Sequence, residues 1–511
     1  MNVPEFIDHF LQQTAPSAVM ILGLGREGWS TYRLLRQHLP KLPIYCLDDA
    51  PLASLDQKWQ KIFANEPLTQ FVTAASLSGI ELPATCTVFK TPGIPPENPL
   101  LAACERLKCT VSSNTQLFFE LVTAYNQQTS EHHQLRTVGI TGTKGKSTTT
   151  ALTGAVLQAC GMQSVIGGNI GIPPLDMLEQ VPANAQQPLA LVLELSCHQL
   201  AELTHSPQVA VIQGISAEHL DYYPTVWHYI AAKSAICRFQ QSEDTVITSC
   251  DQPYSLALAC LSQGKHLTYG QDSSATPKSV PIPTELRQLL PELPATIPLP
   301  PTPTSHLSTD NEILVNDSIL CSYSDLQLLG THNQQNVLAA VTVAQALQLP
   351  LEGVAQALKD FQPLAHRLQL VAEKNGNKYY NDSLATTPEA TKAALESLED
   401  QPIILIAGGH DRHLDFSVLA EALITKPVKA LILFPPSGEN IVTALYRKNP
   451  THHLLETVYK VQSMPEAVQI AKRLAKPGDT ILLSPASASF GTFKDYQDRG
   501  DQFKAAVESE E

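Results

Sequence analysis

One glycine-rich turn constrains this chain more than any other feature: Thr137 to Thr150 reads TVGITGTKGKSTTT, a buried strand running into a helix. Val138 and Ile140 supply the β-branched strand end. Gly142 and Gly145 let the backbone turn tightly, so that N–H groups of Thr143, Lys144 and Thr148 can line a phosphate cradle. Lys146 is placed to neutralise phosphate charge and Ser147 to hold Mg²⁺. The spacing is one residue tighter than the strict G-x-x-x-x-G-K-[ST] rule. An ordinary glycine turn would not need a lysine and a hydroxyl in this order, so nucleotide use is the leading expectation.

Length and charge narrow the rest. A chain of 511 residues is too long for one core and implies two to four domains. Its net charge of −15 argues against a nucleic-acid partner or an anionic membrane surface. No apolar run approaches the roughly 20 residues that span a bilayer. The opening MNVPEFIDHF lacks the basic-then-apolar order of a signal peptide. A cytoplasmic protein, acting as a monomer on small molecules, is the expectation. Ten cysteines without a C-x-x-C pair suit reduced core thiols.

Apolar β-type runs alternate with helical patterns, so the fold class is α/β with parallel sheets, in three blocks. The first, 1–133, opens with a strand feeding Gly23, Gly25 and Gly28, and its next strand ends at Asp48. That is a G-x-G-x-x-G with an acid about twenty residues on, a dinucleotide arrangement that is weak alone. Asn126 to Gln134 reads as a polar linker. The second block, 134–362, holds the phosphate turn. Its LALVLELSCHQL segment ends a strand at Glu194, followed by Ser196 and Gln199, and a carboxylate at such an exit is where a Mg²⁺ ligand is expected. Further on come Glu218, His219 and Asp221, which alone read as structural, and Lys233, which reads as a solvated helix lysine. Pro277 to Asp310 shows little periodicity and is expected to be a solvated surface insertion. The third block, 363–511, starts near QPLAHR.

The ordered set of motifs resembles the Mur ligase family, the ATP-dependent amino-acid ligases that build the peptidoglycan stem peptide. It runs through GLGREG, TPGI from Thr91, TGTKGKST, GGNIGIP, ELSCHQL, AEHLD with AAK, GTHNQQN, AHR, NDSLATTP, GGHDRHLDF, SPASASF and RGDQF. The resemblance covers nearly the whole chain. It implies an N-terminal Rossmann-like domain for a UDP-sugar, a central P-loop ATPase-like domain, and a C-terminal Rossmann-like domain for the incoming amino acid. The reaction it implies adds glutamate to UDP-N-acetylmuramoyl-L-alanine through an acyl phosphate. By motif position, Lys146 would hold the ATP β/γ-phosphates, Ser147 and Glu194 one Mg²⁺, and His219 a second. Lys233 would carry a CO₂-derived carbamate serving that metal site. Gly25, Arg26, Glu27, Asp48, Thr91, Asn169, Ser196 and Gln199 match UDP-substrate positions. Asn333, Asn336, Arg367 and Asp382 match ATP contacts.

The amino-acid site departs from the family pattern. Where the common D-glutamate ligases have DSKATN, this chain has DSLATT, and Leu384 cannot pair with a carboxylate. Arg412 replaces a second lysine and can grip a carboxylate in bidentate fashion, with Thr386, Ser489 and Tyr496 around it. These differences resemble a divergent glutamate-ligase branch in which some members are thought to take L-glutamate. D-glutamate is the expected substrate, with its enantiomer the alternative. Two other readings fit some of the same residues. One is a folylpolyglutamate-synthetase-like ligase, disfavoured by GLGREG and TPGI; the other is a non-catalytic nucleotide-binding regulator, disfavoured by the joint presence of Lys146, Glu194, His219 and Lys233.

Overall fold

The computed structural model describes residues 2–73, 77, 85–130, 134–182, 188–220, 222–270, 280–298, 302–398 and 401–509. Asp221, and the parts of the linker and of the proline-rich stretch that fall in the gaps, lie outside the described residues. The chain is α/β, as expected, and forms two compact units: Met1–Asp325 with Gln335–Lys359, and Leu326–Gln334 with Asp360–Glu511.

The first unit carries two main sheets and a two-stranded hairpin. Strands β1 (Ala18–Leu22), β2 (Ile44–Leu47), β3 (Thr69–Val72), β4 (Cys86–Lys90) and β5 (Thr110–Ser112) form a parallel sheet in the order β3-β2-β1-β4-β5. The glycine turn after β1 therefore sits where the strand order reverses, the place where open α/β sheets bind ligands. The larger sheet is built on β6 (Leu135–Thr141), β7 (Gln163–Gly168), β8 (Leu189–Glu194), β9 (Val209–Ile212), β10 (Thr245–Ser249) and β11 (Lys265–Gly270). Its order, β11-β10-β9-β6-β8-β7, places β6 at a second switch point. β8 and β9 are buried at every residue, which is why both read as unbroken apolar runs. After a separate short hairpin, β12 (Val280–Pro281) with β13 (Thr296–Ile297), strand β14 (Ser305–Leu307) pairs parallel to β11, and β15 (Glu312–Val315) and β16 (Ser318–Ser322) extend that edge antiparallel. The two sheets are joined by polar contacts: Arg33 pairs with Glu179, Lys90 with Glu202, and Ser30 donates to Asp176 at 2.5 Å.

In the second unit, six strands order as β17-β18-β22-β19-β20-β21: β17 (Gln369–Lys374), β18 (Asn377–Asn381), β19 (Ile403–Gly408), β20 (Val428–Phe434), β21 (Val458–Lys460) and β22 (Thr480–Leu483). Apart from the antiparallel β17–β18 edge the sheet is parallel. Separate apolar clusters cover its two faces.

Two expectations are corrected. Asn126 to Gln134 is not all linker: the helix Asn114–Gln128 runs into it, and the Asn126 side chain closes a pair of hydrogen bonds with the backbone of Leu135. The proline-rich stretch is also not simply solvated. A short hairpin pairs Val280–Pro281 with Thr296–Ile297 around a helix, Thr284–Leu289, and Ile282, Leu286, Leu290, Leu293 and Ile297 are buried in the main apolar cluster. These anchors recur every three or four residues, but Pro281, Pro283, Pro291 and Pro294 break up the run and mask it. The ten cysteines are free thiols, eight of them buried. Leu286→Ala is expected to cost about 2–5 kcal/mol in urea unfolding. A loss under about 0.5 kcal/mol, ordinary for a surface position, would restore the solvated reading.

Candidate active site

The C-terminal ends of β6, β7, β8 and β9 converge on one site. After β6 the backbone turns through Gly145 at φ +87°, and the helix Lys146–Ala159 starts immediately. A Cβ at Gly145 would stand 2.4 Å from Asn336 Oδ1 and 2.8 Å from Gln213 Nε2, so both conformation and space demand glycine. The first-turn N–H groups of that helix have no intrahelical acceptors and form a ready anion site. Lys146 Nζ lies over the turn, donating to the carbonyls of Gly142 (3.1 Å) and Thr143 (3.0 Å). Lys144 is exposed beside it, and Thr148 is buried with a hydroxyl that has no partner among the described residues. Thr143 serves the scaffold, donating its N–H to Gly214 and its hydroxyl to Ser216.

Glu194, at the end of β8, is 2% exposed and gripped at both oxygens. Ser147 Oγ donates to Oε2 at 2.6 Å and Asn169 Nδ2 to Oε1 at 2.7 Å. A hydroxyl and a carboxylate at the head of a phosphate turn are the protein's usual share of a Mg²⁺ shell, with phosphates and water completing it. This donor set fits that ion. Among the described residues no three His, Cys, Asp or Glu side chains gather into a metal cluster. His219, at φ +54°, packs its ring against His198 and Tyr229.

Lys233 is not the solvated lysine the helix pattern suggested. It is 1% exposed, its Nζ donates to the Gly142 carbonyl at 3.1 Å, and it sits 4.8 Å from the centre of the Tyr229 ring. Burial, and then the nearby Lys146 charge, push it down to about 8, so a far larger neutral fraction exists than for ordinary lysine. Sequence reading missed two organisers here. Tyr229 touches Thr143, Lys233 and His219. Gln213, following β9, donates to Thr149 and Asn336 and so braces the turn. Only the polar residue closing an apolar strand hinted at Gln213.

The first sheet's turn is organised similarly. Gly23, at φ +91°, faces Thr91, whose Oγ1 would lie 2.1 Å from a Cβ there. Asp48 accepts from the N–H groups of Leu24 (2.8 Å) and Ala50 (2.9 Å). Gly25 caps the helix Arg26–His38. Arg26 and Glu27 reach the central sheet, Arg26 through the carbonyls of Asn169 and Gly171, Glu27 through Gln199 Nε2 at 2.8 Å. Gln199 and Ser196 form a reciprocal cap on the short helix after β8.

In the second unit, Thr386, Arg412 and Ser489 follow β18, β19 and β22 at one edge of the sheet, with Arg412 exposed and Ser489 buried. The His410 N–H donates to Ala488 O at 2.9 Å, tying the Arg412 and Ser489 loops together. Tyr496 begins the last helix, and its carbonyl accepts from Ser383. Buried Arg499, another residue given no role from sequence, holds Ser383 and the Ser487 carbonyl. Arg367 lies between His366 and Leu368, both at positive φ, and the Leu368 N–H donates to Asp382. Asn333 bonds the Leu329 carbonyl in this unit, whereas Asn336 belongs with the phosphate turn.

Strand-end glycine turns, a hydroxyl–carboxylate pair and a buried lysine beside them define a nucleotide- and cation-handling α/β protein. Residues 140–344 match the Mur ligase middle domain and 366–487 the Mur ligase glutamate ligase domain. The UDP-N-acetylmuramoylalanine–D-glutamate ligase of Symbiobacterium thermophilum is 34% identical over 422 residues, covering 83% of this chain and 84% of that protein. That of Geobacillus kaustophilus is 32% identical, covering 96% and 97%. Among solved structures, MurF from Acinetobacter baumannii superposes with a TM-score of 0.56 at 15% identity, covering 97% and 92%, which shows a shared fold. UDP-N-acetylmuramate–alanine ligase of Thermotoga maritima gives 0.54 at 17%, covering 96% and 99%. The chain belongs to the Mur ligase family.

Burial, opposed by the Ser484 and Leu368 hydrogen bonds, raises the Asp382 carboxyl from 3.8 to about 7. The folded state then keeps a proton the unfolded chain loses, so this contribution is complete below pH 3.8 and gone once pH rises past about 7. Asp382→Asn should flatten the fall in stability across that window, followed by denaturant midpoints against pH. Parallel wild-type and variant profiles would refute the shift.

Proposed function

We propose that this chain is the ATP-dependent ligase that joins D-glutamate to UDP-N-acetylmuramoyl-L-alanine in peptidoglycan precursor synthesis. The observation that carries the reading is Lys233, buried, its ammonium pushed down to about 8, and 3.1 Å from the carbonyl of the phosphate-turn glycine. A solvated structural lysine has no reason to be there. The names of the relatives with 32–34% identity support the substrate pair.

A carboxylate does not react with an amine at neutral pH, so the alanine carboxylate must first take the γ-phosphoryl of ATP. The glutamate amine then adds to the acyl phosphate, and phosphate leaves. Two polyanions have to meet, so the protein's work is positioning and charge neutralisation. In this reading Lys146 and the N–H groups of residues 142–148 hold the phosphates, while Asn333, Asn336, Arg367 and Asp382 complete the ATP contacts. Ser147 and Glu194 hold one Mg²⁺, and His219 a second. Bound Mg²⁺ supplies the charge neutralisation that lysine alone cannot. The neutral amine of Lys233 adds CO₂ with loss of a proton, and the carbamate replaces a cation with an anion beside the metal site. The α-carboxylate of glutamate pairs with Arg412, with Thr386, Ser489 and Tyr496 around it, Arg412 taking the part that Leu384 cannot.

The division 1–133, 134–362 and 363–511 into UDP-substrate, ATP and amino-acid domains belongs to the same proposal, as do a cytoplasmic location and a monomer. Among the described residues no helix is long and apolar enough to cross a membrane.

Phosphate release by the purified chain with ATP, Mg²⁺ and UDP-N-acetylmuramoyl-L-alanine should require D-glutamate. Release with L-glutamate alone would reassign the amino-acid site, and release with neither would end the ligase reading. In that assay Lys233→Ala should lose at least about 100-fold in rate, the scale of a lost electrostatic contact to the reacting centre. Short added carboxylates should restore part of it. Unchanged turnover would remove Lys233 from the mechanism.

A further inference from the structure

Two neighbouring residues of the first sheet's glycine turn close a ring of hydrogen bonds around Glu194. On one side, Arg26 donates from both terminal nitrogens, to Gly171 O at 3.0 Å and Asn169 O at 2.9 Å. Asn169 in turn donates its side-chain amide to Glu194 Oε1, and its N–H to Glu194 O at 2.8 Å. On the other side, Gln199 Nε2 donates to Glu27 Oε1. The far end of the same amide, Gln199 Oε1, accepts from the Ser196 N–H at 3.0 Å, two residues after Glu194. That backbone donor fixes which way the Gln199 amide points. Both arms leave from the first turn of one helix and meet at one strand end.

We infer that Arg26 and Glu27 are positioning residues that clamp Glu194 against Ser147, Arg26 through the loop after β7 and Glu27 through the short helix that continues the strand of Glu194, coupling the first sheet to the cation site. The inference rests on the reading of Glu194 as a Mg²⁺ ligand. It deepens the earlier assignment of both residues to the UDP substrate, giving them a task in another part of the site. Glu27 is 9% exposed and its Oε2 is buried with no partner among the described residues, while Arg26, though exposed, donates to two carbonyls of the central sheet. Burial holds the Glu27 carboxyl up at about 7, opposed by Gln199 and Arg26, so a neutral amide should replace it well.

The test is calorimetric titration of the full chain with a non-hydrolysable ATP analogue across a range of Mg²⁺, beside titration with UDP-N-acetylmuramoyl-L-alanine. Arg26→Ala and Glu27→Ala should each raise the Mg²⁺ needed for half-maximal analogue binding about tenfold, the equivalent of one buried hydrogen bond. Glu27→Gln, which still accepts from Gln199, should stay within about threefold of wild type, and so should analogue binding without Mg²⁺. Because Arg26 is exposed, its variant decides the matter if Glu27→Ala does not fold. Unchanged Mg²⁺ dependence in the folded alanine variants would overturn the clamp, and so would loss confined to UDP-substrate binding. A wild-type chain that binds Mg²⁺-analogue but no UDP substrate would sink the ligase reading while the Mg²⁺ comparison still judges the clamp.

Discussion

The Glu194 carboxylate, fixed at both oxygens by Ser147 and Asn169, is the interaction around which the first unit is arranged. A buried carboxylate in that position is unfavourable unless its lone pairs are met, and the two donors come from the helix after β6 and the loop after β7. Those segments can meet β8 only because β6 and β7 flank it in the sheet. Strand order and local charge therefore depend on each other. The same pairing brings a hydroxyl and a carboxylate to the mouth of an anion-binding helix N-terminus, where a divalent cation would see both.

A second consequence of strand order is that two glycine turns of different sheets come to one place. Each follows the strand at which the order of its sheet reverses. Arg26 and Glu27 carry the first turn to the strand ends that form the second. The turn after β6 is itself braced by Gln213 and Asn336, which occupy the space a Cβ at Gly145 would need. The site is thus built from backbone that cannot move without disturbing a packed neighbour, the condition for electrostatic preorganisation.

Much of the fold was legible in the sequence. Strands buried on both faces must be continuously apolar, so β8 and β9 announced themselves, and the glycine turn marked where β6 ends. What stayed hidden depended on contacts between distant segments. Lys233 looked like any helix lysine, because nothing local says that Tyr229 and Gly142 enclose it. Gln213, Tyr229 and Arg499 carry no motif; their importance comes from which strand ends meet. The apolar residues of the proline-rich stretch escaped notice because prolines interrupt them, although the five anchors recur every three or four residues over a hairpin and a short helix. Asn333 and Asn336 lie three residues apart on one helix, yet Asn333 donates to the Leu329 carbonyl while Asn336 accepts from Gln213 beside the phosphate turn.

The chemical core of the reading is that the phosphoryl group passes to the carboxylate of the UDP-linked alanine before the amine arrives. Turnover with that carboxylate labelled with ¹⁸O tests it most directly, by mass analysis of the released phosphate. An acyl phosphate requires one labelled oxygen to leave with each phosphate and the ATP to end as ADP. Unlabelled phosphate, or AMP in place of ADP, would contradict it.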